Sequence, residues 1–497
     1  MPERSQLCVT VTAATTAELC QRRDAAVREF APDLVELRID GIGDLQLERV
    51  IGDGARCIVT CRPEWEGGRY SGDESARRAL LLQALALGAQ FVDVEHRAAF
   101  AVELIAAGQS RVVLSYHDFK GIPDDLPSIA RQMRDANPGV VKIAVTAERL
   151  ADCATLLNLS NTILAQTSKV LIAMGPHGLT TRVLAARLGS AWSYAGSLAD
   201  LGQVGAASLL SDFRFRSLSS STILYGLTGS PIGHSVSPAM HNRAIADRGL
   251  DAVYLPLPAL DADDFVAYAE AFGLAGASVT IPFKVPLAAK ADEVDDVARR
   301  VGAINTMKRN GGRWIATNTD VAGFLRPLEQ RGVRLPGVRA SILGAGGSAR
   351  AVAVALTGAG ARVRIHARDA QRASQTASAT ASEVGSWPVE SGSWDLLVNC
   401  TPVGMYPHVD ESPLPSLRHE SGGGRIVYDL IYNPQTTRLI HEARQAGCQV
   451  IGGLEMLVAQ AEEQFAFWTG RPPARGIMRE AALTRLAEFE SHENHVV

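Results

Sequence analysis

The chain has 497 residues, a length that predicts about three domains of ordinary size. Hydrophobic residues make up 46% and charged residues 21%, as in a globular protein with ample core. The net charge of −4 gives no electrostatic reason to expect nucleic acid or an acidic membrane surface as a partner. No apolar run in the sequence reaches the roughly 18 residues of a membrane span.

The N-terminus and the cysteines both predict a cytoplasmic protein. An apparent strand begins almost at the first residue, so we expect neither a signal peptide nor a transit peptide. The seven cysteines are odd in number and lie mostly in apolar runs, as reduced core residues do. Cys57 and Cys61 have no second pair with which to form a zinc site, so we expect no metal.

Apolar β-branched runs alternate with Ala/Leu-rich helical stretches up to about residue 218. The predicted strands are 7–13, 34–40, 56–62, 91–96, 111–119, 140–146, 169–175 and 191–197. Continuous apolar strands separated by helices are typical of a parallel sheet. Eight such units in this length predict a closed (β/α)8 barrel over residues 1–218, and an open doubly wound sheet is the alternative.

Lysine is rare in this chain: only six of the 49 basic residues are lysines. A lysine within an apolar run is therefore a candidate for chemistry that a guanidinium cannot perform. Lys142 lies in the predicted strand 140–146, beside the predicted strand that carries His117 near its end. A desolvated lysine can form a Schiff base with a ketone, and a nearby histidine can then move protons at carbon. The alternative is a buried ion pair with a structural role.

Polar residues collect at the carboxyl ends of the predicted barrel strands, where barrel enzymes bind and convert their substrates. Several arginines around one opening suit a substrate carboxylate, which a guanidinium can bind through two hydrogen bonds. The polar residues expected at this opening are Glu36, Arg38, Asp40, Arg62, Glu66, His117, Asp118, Lys142 and Arg182.

This half of the chain resembles type I 3-dehydroquinate dehydratases. The matching motifs are Asp33-Leu-Val-Glu-Leu-Arg-Ile-Asp40, Thr60-Cys-Arg62, Glu66-Gly-Gly68, Val112-Val-Leu-Ser-Tyr-His-Asp-Phe119, Lys142-Ile-Ala-Val145 and Met174-Gly-Pro-His-Gly-Leu-Thr-Thr-Arg182. The resemblance implies Lys142 as the Schiff-base lysine, His117 as the proton-transfer residue and Glu66 as the support of that histidine. The substrate-binding residues that it implies are Glu36, Arg38, Arg62, Arg182 and Gln203. One departure is Ala199, which stands where the family usually has a substrate-facing serine.

Beyond a short polar hinge, the second half of the chain begins with two candidate binding clusters. Ser235 and Ser237 are hydrogen-bond donors suited to a carboxylate or a polyol, although a capped helix start explains them equally well. Lys284, Asn305 and Asp320 stand at loop-like strand ends, where they could bind a hydroxyl and relay its proton. Solvated loop residues are the alternative for each of the three.

A dinucleotide fingerprint follows. A predicted strand from residue 339 runs into Gly344-Ala-Gly-Gly-Ser-Ala349 and then into a predicted helix. In this arrangement the glycines let backbone amides at a helix N-terminus approach a pyrophosphate. The next predicted strand, 362–367, closes a βαβ unit.

The chain from 222 to 490 resembles shikimate dehydrogenases. Further matching motifs are Val398-Asn-Cys-Thr-Pro-Val-Gly-Met405, Asp429-Leu-Ile-Tyr-Asn-Pro-Gln-Thr436 and Gly453-Leu-Glu-Met-Leu-Val-Ala-Gln-Ala461. The resemblance implies Lys284 and Asp320 as the catalytic pair. The substrate-binding residues that it implies are Ser235, Ser237, Thr280, Asn305, Tyr432 and Gln460. The cofactor-binding residues that we expect are Gly344, Ala345, Gly346, Gly347, Ser348, Ala349, Arg368, Thr401 and Gly453.

The resemblance also implies a domain order. A substrate-binding domain at 222–328 should be completed by residues 436–497, and a Rossmann cofactor domain should occupy 329–435. The whole chain would then be an α/β protein, with an N-terminal (β/α)8 barrel followed by a two-domain shikimate dehydrogenase-like half.

The end of the second Rossmann strand bears on the choice of cofactor. An acidic residue at this place binds the ribose hydroxyl of NAD, whereas an arginine accommodates the 2′-phosphate of NADP. The chain has Arg368 followed by Asp369, and Arg372 comes one helical turn later. We expect Asp369 to be the N-cap of the next helix, which leaves the arginines to select NADP.

Together the two resemblances predict a bifunctional enzyme of the shikimate pathway. The barrel would dehydrate 3-dehydroquinate to 3-dehydroshikimate, and the second half would reduce that product to shikimate with NADPH. The alternatives are a chain with one inactive half, a dehydrogenase that prefers quinate, and a binding protein without catalytic activity.

Overall fold

The computed structural model describes residues 5–52, 56–196, 203–390, 392–414 and 424–493. The chain divides into two compact units. The first comprises Met1–Leu224 and Asp251–Gly273, and the second comprises Tyr225–Leu250 and Leu274–Val497. Within the described ranges, no helix combines the length and the apolarity that a membrane crossing requires.

The regular elements alternate along most of the chain. The described strands are β1 Gln6–Thr12, β2 Leu34–Arg38, β3 Cys57–Thr60, β4 Phe91–Glu95, β5 Val112–Asp118, β6 Val140–Thr146, β7 Lys169–Met174, β8 Trp192–Ala195, β9 Ile223–Thr228, β10 Ala252–Leu257, β11 Gly276–Val279, β12 Glu293–Val294, β13 Thr306–Asn310, β14 Arg313–Thr317, β15 Arg339–Leu343, β16 Arg362–His366, β17 Glu383–Val384, β18 Leu396–Asn399, β19 Ile426–Asp429 and β20 Gln449–Ile451. The described α-helices are α1 Thr16–Phe30, α2 Leu47–Ile51, α3 Glu74–Ala86, α4 Ala101–Gly108, α5 Leu126–Asp135, α6 Cys153–Asn161, α7 Leu179–Val183, α8 Ala206–Ser211, α9 Ser237–Asp247, α10 Ala262–Ala271, α11 Asp296–Val301, α12 Asp320–Gln330, α13 Gly347–Gly358, α14 Ala370–Ala379, α15 Arg438–Gln445, α16 Gly453–Thr469 and α17 Ile477–Glu493.

The first eight strands form one parallel sheet in the order β7-β6-β5-β4-β3-β2-β1-β8. Strand β1 pairs with β8, so that β7 and β8 are the two ends of the sheet. A bridge between Lys169 and Ser190 joins β7 to the residues just before β8, and the amide of Ala191 donates to the carbonyl of Lys169 at 2.8 Å. The predicted (β/α)8 barrel is therefore confirmed, and its closure between β7 and β8 is short.

Neighbouring strands bring the predicted catalytic residues of the barrel to one face. Ser115 of β5 pairs with Lys142 of β6, and His117 pairs with Ala144. Because side chains two residues apart on a strand share a face, Ser115 and His117 point to the same side as Lys142. Lys142 and His117 thus occupy successive levels of the barrel interior.

Helix α7 carries Arg182 and follows strand β7 after a tight turn. The turn is a 3-10 helix at Pro176–Gly178, and α7 itself is only five residues long. A Cβ atom on Gly178 would lie 2.0 Å from the carbonyl oxygen of Ala173, so only glycine fits this approach to β7.

The first unit also contains residues that the sequence analysis assigned to the 222–328 domain. These are residues 251–273, here called the α10 segment, and they comprise β10 and α10. Helix α10 packs against α6 and against the 3-10 turn Leu150–Asp152 of the barrel.

In the second unit, strands β9, β11, β13, β14 and β12 are neighbours in that order. Strands β9 and β11 are parallel, whereas β13 is antiparallel to both β11 and β14. The loop after β9 approaches the loop after β11 closely, because a Cβ on Gly229 would lie 2.2 Å from Cγ2 of Thr280. Glycine is therefore required where these two candidate binding loops meet.

A second sheet of this unit has the order β17-β16-β15-β18-β19-β20 with all strands parallel. This is the 3-2-1-4-5-6 order of a dinucleotide-binding fold, in which ligands bind where the order reverses, between β15 and β18. Since β20 pairs with β19, the sheet continues to Ile451, past the boundary at 435 that the sequence analysis set. Its core is a cluster of buried aliphatic side chains that includes Ile342, Val352 and Val398.

The C-terminal helices pack against elements near the start of the second unit. Helix α16 packs against α12, and α17 packs against α9. Gly323 of α12 allows a close approach, since a Cβ there would lie 2.8 Å from the backbone nitrogen of Gln460.

Candidate active sites

Lys142 lies at the centre of the barrel interior with its side chain only 6% exposed. Its Nζ is 3.0 Å from Oδ2 of Asp93 and 3.4 Å from Oε1 of Glu36. The ring of Tyr194 covers a third side, with its centroid 4.4 Å from Nζ. The amino group is therefore held by two buried carboxylates and an aromatic face.

Asp93 and Glu95 of β4 are functional candidates that the sequence analysis missed. Both are fully buried, and both accept from Arg62: Nη2 is 2.7 Å from Oδ1 of Asp93 and Nη1 is 2.7 Å from Oε1 of Glu95. Although burial opposes ionisation, the charges of Arg62 and Lys142 hold the pKa of Asp93 well below its ordinary value. Two acids spaced two apart in a buried parallel strand were the available signal, since both must face the barrel interior.

Arg62 was predicted to bind substrate, and the structure places it in the cavity wall with its guanidinium already bound by carboxylates. Nη1 also donates to Oγ of Ser115 at 2.8 Å. Arg62 is thus joined to Asp93, which also contacts Lys142. Its contact with substrate stays a prediction.

His117, whose side chain is 12% exposed, pairs with the buried Glu66. Oε1 of Glu66 accepts from the backbone amide of His117 at 3.0 Å and lies 3.1 Å from its Nδ1. Burial, reinforced by the charge of Arg62, lowers the pKa of His117 well below its ordinary value, so the ring is a neutral base near pH 7. Burial also raises the pKa of Glu66 to about 7, against the opposing charge of Arg62. The contact orients the ring so that Nε2 is the nitrogen available to a substrate.

The remaining substrate-binding residues predicted for the barrel line the same cavity as Lys142. Arg38 is held by Asp40 through two hydrogen bonds of 2.7 and 2.8 Å. Arg182 is almost completely buried, and burial lowers the pKa of its guanidinium. The lining residues are Thr10, Glu36, Arg38, Arg62, Glu66, Gly67, His117, Phe119, Lys142, Ala144, Ile172, Met174, Arg182, Tyr194 and Gln203. The structure therefore brings together every catalytic and substrate-binding residue that the resemblance implied for the barrel, whereas Asp40 and Asp118 do not line the cavity. Ala199 lies outside the described residues.

Lysine rarity alone does not identify a catalytic lysine. Lys169, also in a barrel strand, is 1% exposed. Its Nζ donates to the carbonyls of Leu164 at 2.8 Å and Ser160 at 3.3 Å, near the end of α6. This buried lysine satisfies backbone acceptors at a helix terminus, which is a structural role.

In the second unit Lys284 and Asp320 form the predicted pair, with 2.6 Å between Nζ and Oδ2. Oδ1 of Asp320 accepts from Nδ2 of Asn305 at 2.8 Å, and the same amide group is 3.4 Å from Oε1 of Gln460. The amide of Ile304 donates to the carbonyl of Lys284, which fixes the backbone of the lysine. The four predicted residues of this site are thus joined through hydrogen bonds.

The other predicted substrate residues lie on separate loops of the second unit. Ser237 is the first residue of α9, and Oγ of Ser235 accepts from its amide at 3.2 Å. Thr280 follows β11, and its amide donates to the carbonyl of Thr228 at 2.9 Å. Tyr432 lies beyond β19, where burial raises its pKa. A substrate role for these loop residues stays a prediction.

The glycine fingerprint occupies the turn between β15 and α13. Gly344 has φ of +107°, and a Cβ there would lie 3.2 Å from the carbonyl oxygen of Cys400, so glycine is required. Helix α13 begins after Gly346, a residue without a side chain to cap the first-turn amides. The space beside Gly346 and Gly347 is open within 4 Å. These amides therefore form a cradle that fits a pyrophosphate.

The residues after β16 are those from which NADP was predicted as the cofactor. Asp369 accepts from the amide of Arg372 at 3.0 Å and is the N-cap of α14, as predicted. Nε of Arg372 is 3.4 Å from Oδ2 of the same aspartate. Arg368 is exposed beside them. The carboxylate is thus engaged by the helix, and Arg368 is available to a phosphate.

Thr401 and Gly453 are the two remaining residues predicted to bind the cofactor, and they lie after a strand and at the start of a helix. Oγ1 of Thr401, just after β18, donates to Oδ1 of Asn399 at 2.7 Å. Gly453 begins α16, where a Cβ would lie 2.2 Å from the carbonyl oxygen of Leu430. Among the described residues, no group of three or more His, Cys, Asp or Glu side chains is placed to hold a metal ion.

Models of known families match parts of both halves of the chain. Residues 7–219 match the model of type I 3-dehydroquinase. Residues 227–307 match the substrate-binding domain of shikimate dehydrogenase, and residues 453–483 match the shikimate 5′-dehydrogenase C-terminal domain.

Individual relatives extend the comparison. A chloroplastic bifunctional 3-dehydroquinate dehydratase/shikimate dehydrogenase of Arabidopsis thaliana is 32% identical over 510 residues, which cover 94% of this chain and 82% of that protein. A shikimate dehydrogenase (NADP+) of Symbiobacterium thermophilum is 43% identical over 53% of this chain and 94% of its own. The solved shikimate dehydrogenase of Thermus thermophilus in complex with NADP(H) and shikimate superposes with a TM-score of 0.50 and 35% identity, over 53% of this chain and 99% of that structure.

Proposed function

The chain belongs to the family of bifunctional 3-dehydroquinate dehydratase/shikimate dehydrogenases, and we propose that each half performs its reaction through the side chains described above. The barrel dehydrates 3-dehydroquinate to 3-dehydroshikimate. The second half reduces 3-dehydroshikimate to shikimate with NADPH. Two successive steps of the shikimate pathway are thus joined on one chain.

In the dehydratase, Nζ of Lys142 attacks the substrate ketone, and the addition product loses water to form an imine. The positively charged imine withdraws electrons from the neighbouring carbon, and Nε2 of His117 removes a proton there. The electrons then expel the hydroxyl group as water, with His117 returning the proton, and hydrolysis of the imine releases the product and the lysine. Asp93, which is 3.0 Å from Nζ, is placed to balance the charge on nitrogen.

Glu66 supports His117 through the contact at Nδ1 and stabilises the imidazolium that forms when the ring accepts a proton. Arg182 and Arg38 bind the carboxylate and hydroxyl groups of the substrate, and Glu36 and Gln203 complete the wall of the cavity.

In the dehydrogenase, Lys284 and Asp320 bind the hydroxyl at the reacting carbon and exchange its proton. Asn305 and Gln460 hold Asp320 and the adjacent substrate groups in place. Ser235, Ser237, Thr280 and Tyr432 bind the remaining polar groups of the substrate.

NADP(H) fits the crevice of the parallel sheet and supplies the hydride when it is bound. The amides at Gly346, Gly347 and Ser348 would hold its pyrophosphate, and Arg368 would hold its 2′-phosphate. The shikimate dehydrogenase (NADP+) of Symbiobacterium thermophilum and the Thermus thermophilus structure in complex with NADP(H) support this assignment. The seven cysteines are all free, which supports a cytoplasmic location.

One observation carries the dehydratase assignment: Lys142 is buried in a cavity that also holds His117 paired with Glu66. Borohydride treatment in the presence of 3-dehydroquinate or its product should reduce the imine, and peptide mass spectrometry should find the adduct on Lys142. An unmodified Lys142 peptide after this treatment would refute the Schiff-base mechanism.

Substitutions separate the two activities. Lys142→Ala and Lys142→Arg should both abolish dehydration, since a guanidinium cannot form the imine, while reduction of 3-dehydroshikimate continues. Lys284→Ala should give the opposite pattern. A wild-type chain that dehydrates but does not reduce, or that prefers quinate, would contradict the assignment of the second half.

A further inference from the structure

The α10 segment, residues 251–273, contacts the part of the barrel that carries Arg182. The hydroxyl of Tyr268 forms a short hydrogen bond with Oγ1 of Thr180, and both side chains are buried. Nδ1 of His177 lies 2.7 Å from the carbonyl oxygen of Pro258. The α10 segment falls within the range that matches the dehydrogenase substrate-binding domain, yet these contacts are made to the dehydratase barrel.

A buried carboxylate anchors the same segment to the barrel. Oδ1 and Oδ2 of Asp264 accept from the amides of Ala151 at 2.8 Å and Leu150 at 3.1 Å, and Nε of Arg149 donates to Oδ1 at 3.1 Å. Asp264 is fully buried. Two backbone donors and one charged donor of the barrel thus converge on a single side chain of α10.

Helix α7 connects the contact at Thr180 to the dehydratase cavity. An α-helix turns about 100° per residue, so positions 180 and 182 lie about 200° apart. Thr180 accordingly faces Tyr268, whereas Arg182 faces the cavity that contains Lys142. Between them, Oγ1 of Thr181 accepts from the amide of Ala173 in β7, so the helix is held from both sides.

We propose that Tyr268, a residue of the dehydrogenase-matching range, is a positioning residue for the dehydratase: through Thr180 it holds α7 so that Arg182 meets the substrate. A five-residue helix has few internal hydrogen bonds of its own, so its placement depends on such outside contacts. The inference rests on the proposed substrate-binding role of Arg182.

The test measures dehydratase kinetics on the full-length chain with Tyr268→Phe, Thr180→Val and the double variant. Each single change removes one side of the same hydroxyl contact and keeps the bulk of the side chain. We expect KM for 3-dehydroquinate to rise about three- to tenfold with kcat changed less than about twofold, since one neutral hydrogen bond is lost. The double variant should be no worse than the more affected single variant.

Matched variants separate positioning from general damage. Thr180→Ser keeps the hydroxyl and should keep KM near the wild-type value. Thr162→Val removes a hydroxyl that bonds to the carbonyl of Asn158 in the same barrel, and it should leave KM unchanged. Reduction of 3-dehydroshikimate by the same samples, and their melting temperatures, show that the chain is folded under assay conditions.

Arg182→Lys is the variant with which the others are compared. It should raise KM, because a lysine cannot bind the substrate carboxylate through two parallel hydrogen bonds. If Arg182→Lys raises KM but neither Tyr268→Phe nor Thr180→Val does, the positioning inference is wrong and the proposed substrate site stands. If the two single effects add in the double variant, the residues act independently and the inference is also wrong. If Arg182→Lys leaves KM unchanged, the substrate role of Arg182 fails, and the inference fails with it.

Discussion

The pair of Glu66 and His117 should set the pH dependence of dehydration. Burial raises the pKa of Glu66 to about 7, whereas the pKa of His117 lies well below its ordinary value. Near pH 7 the ring is therefore neutral, and the group that changes charge is the carboxyl. Because the anionic form stabilises the imidazolium, we expect kcat/KM for 3-dehydroquinate to fall with an apparent pKa near 7 as the pH is lowered.

Glu66→Gln tests this reasoning. Glutamine can still accept from the amide of His117, but the negative charge beside Nδ1 is lost. A hydrogen bond to a charged group contributes about 1.5–3 kcal/mol, which corresponds to a loss of about 10- to 150-fold in kcat. The fall in kcat/KM with an apparent pKa near 7 should disappear, because the residue at position 66 no longer titrates.

The same substitution should stabilise the barrel. A pKa raised from 4.5 to about 7 corresponds to about 3 kcal/mol that ionisation of the buried carboxyl costs the folded state. This cost is absent below pH 4.5 and is complete above pH 7. Glu66→Gln should therefore raise the free energy of unfolding at pH 8 by up to about 3 kcal/mol and have little effect at pH 4.

Initial rates can be followed between pH 5 and 9 through the ultraviolet absorbance of the conjugated product, with urea unfolding measured on the same samples. Reduction of 3-dehydroshikimate by the second half is the internal control and should be unaffected. If the Glu66→Gln enzyme still shows the fall in kcat/KM near pH 7, another group causes that fall. Unchanged activity across the range would refute the role of the carboxylate altogether.

Three further substitutions test the second half and the α10 segment. Asp320→Asn should lower kcat for shikimate oxidation by about 100-fold or more, while dehydration continues, since a proton-transfer group is lost beside Lys284. Arg368→Ala should lower kcat/KM for NADPH by about 10- to 100-fold and leave that for NADH nearly unchanged, because NADH has no 2′-phosphate for the arginine to bind. Asp264→Asn should lower the free energy of unfolding by about 2–3 kcal/mol at pH 7. The effect should be smaller at pH 3: although burial opposes ionisation, backbone and Arg donors hold the pKa of the Asp264 carboxyl below its ordinary value. Protonation at low pH therefore removes the contribution of the charged carboxylate.

The outcomes that would contradict these expectations differ. Wild-type activity in Asp320→Asn would remove the aspartate from the proton path. A wild-type preference for NADH would mean that Asp369 faces the ribose rather than capping α14. An unchanged urea midpoint for Asp264→Asn at pH 7 would show that its hydrogen bonds are replaced by water without loss.

The strands of the barrel could be predicted because each is a continuous apolar run between helical stretches. Structure and prediction agree on β6 at both ends, and the ends of the other seven barrel strands differ by at most two residues. The resemblance of the motifs to known families identified Lys142, His117 and Glu66, which the structure brings into one cavity.

One signal in the sequence was missed, and two other features depend on tertiary contacts that no local pattern encodes. Asp93 and Glu95 were missed, although their spacing placed both on one strand face. Lys169 shares the rarity and the apolar setting of Lys142, and only its contacts with helix carbonyls reveal a structural role. The end of the cofactor sheet at Ile451 could not be read either, because pairing of a three-residue strand is decided by its neighbour.

The α10 segment also bears on the history of the fusion. Once a gene joins two enzymes, polar side chains of one can evolve hydrogen bonds to the other, as Asp264 and Tyr268 of the α10 segment have done with the barrel. Both side chains would lose these partners if the gene were split again between the two halves. A descendant with separate genes would also need new acceptors for the amides at Leu150 and Ala151. Joining the two enzymes is therefore an easier evolutionary step than parting them.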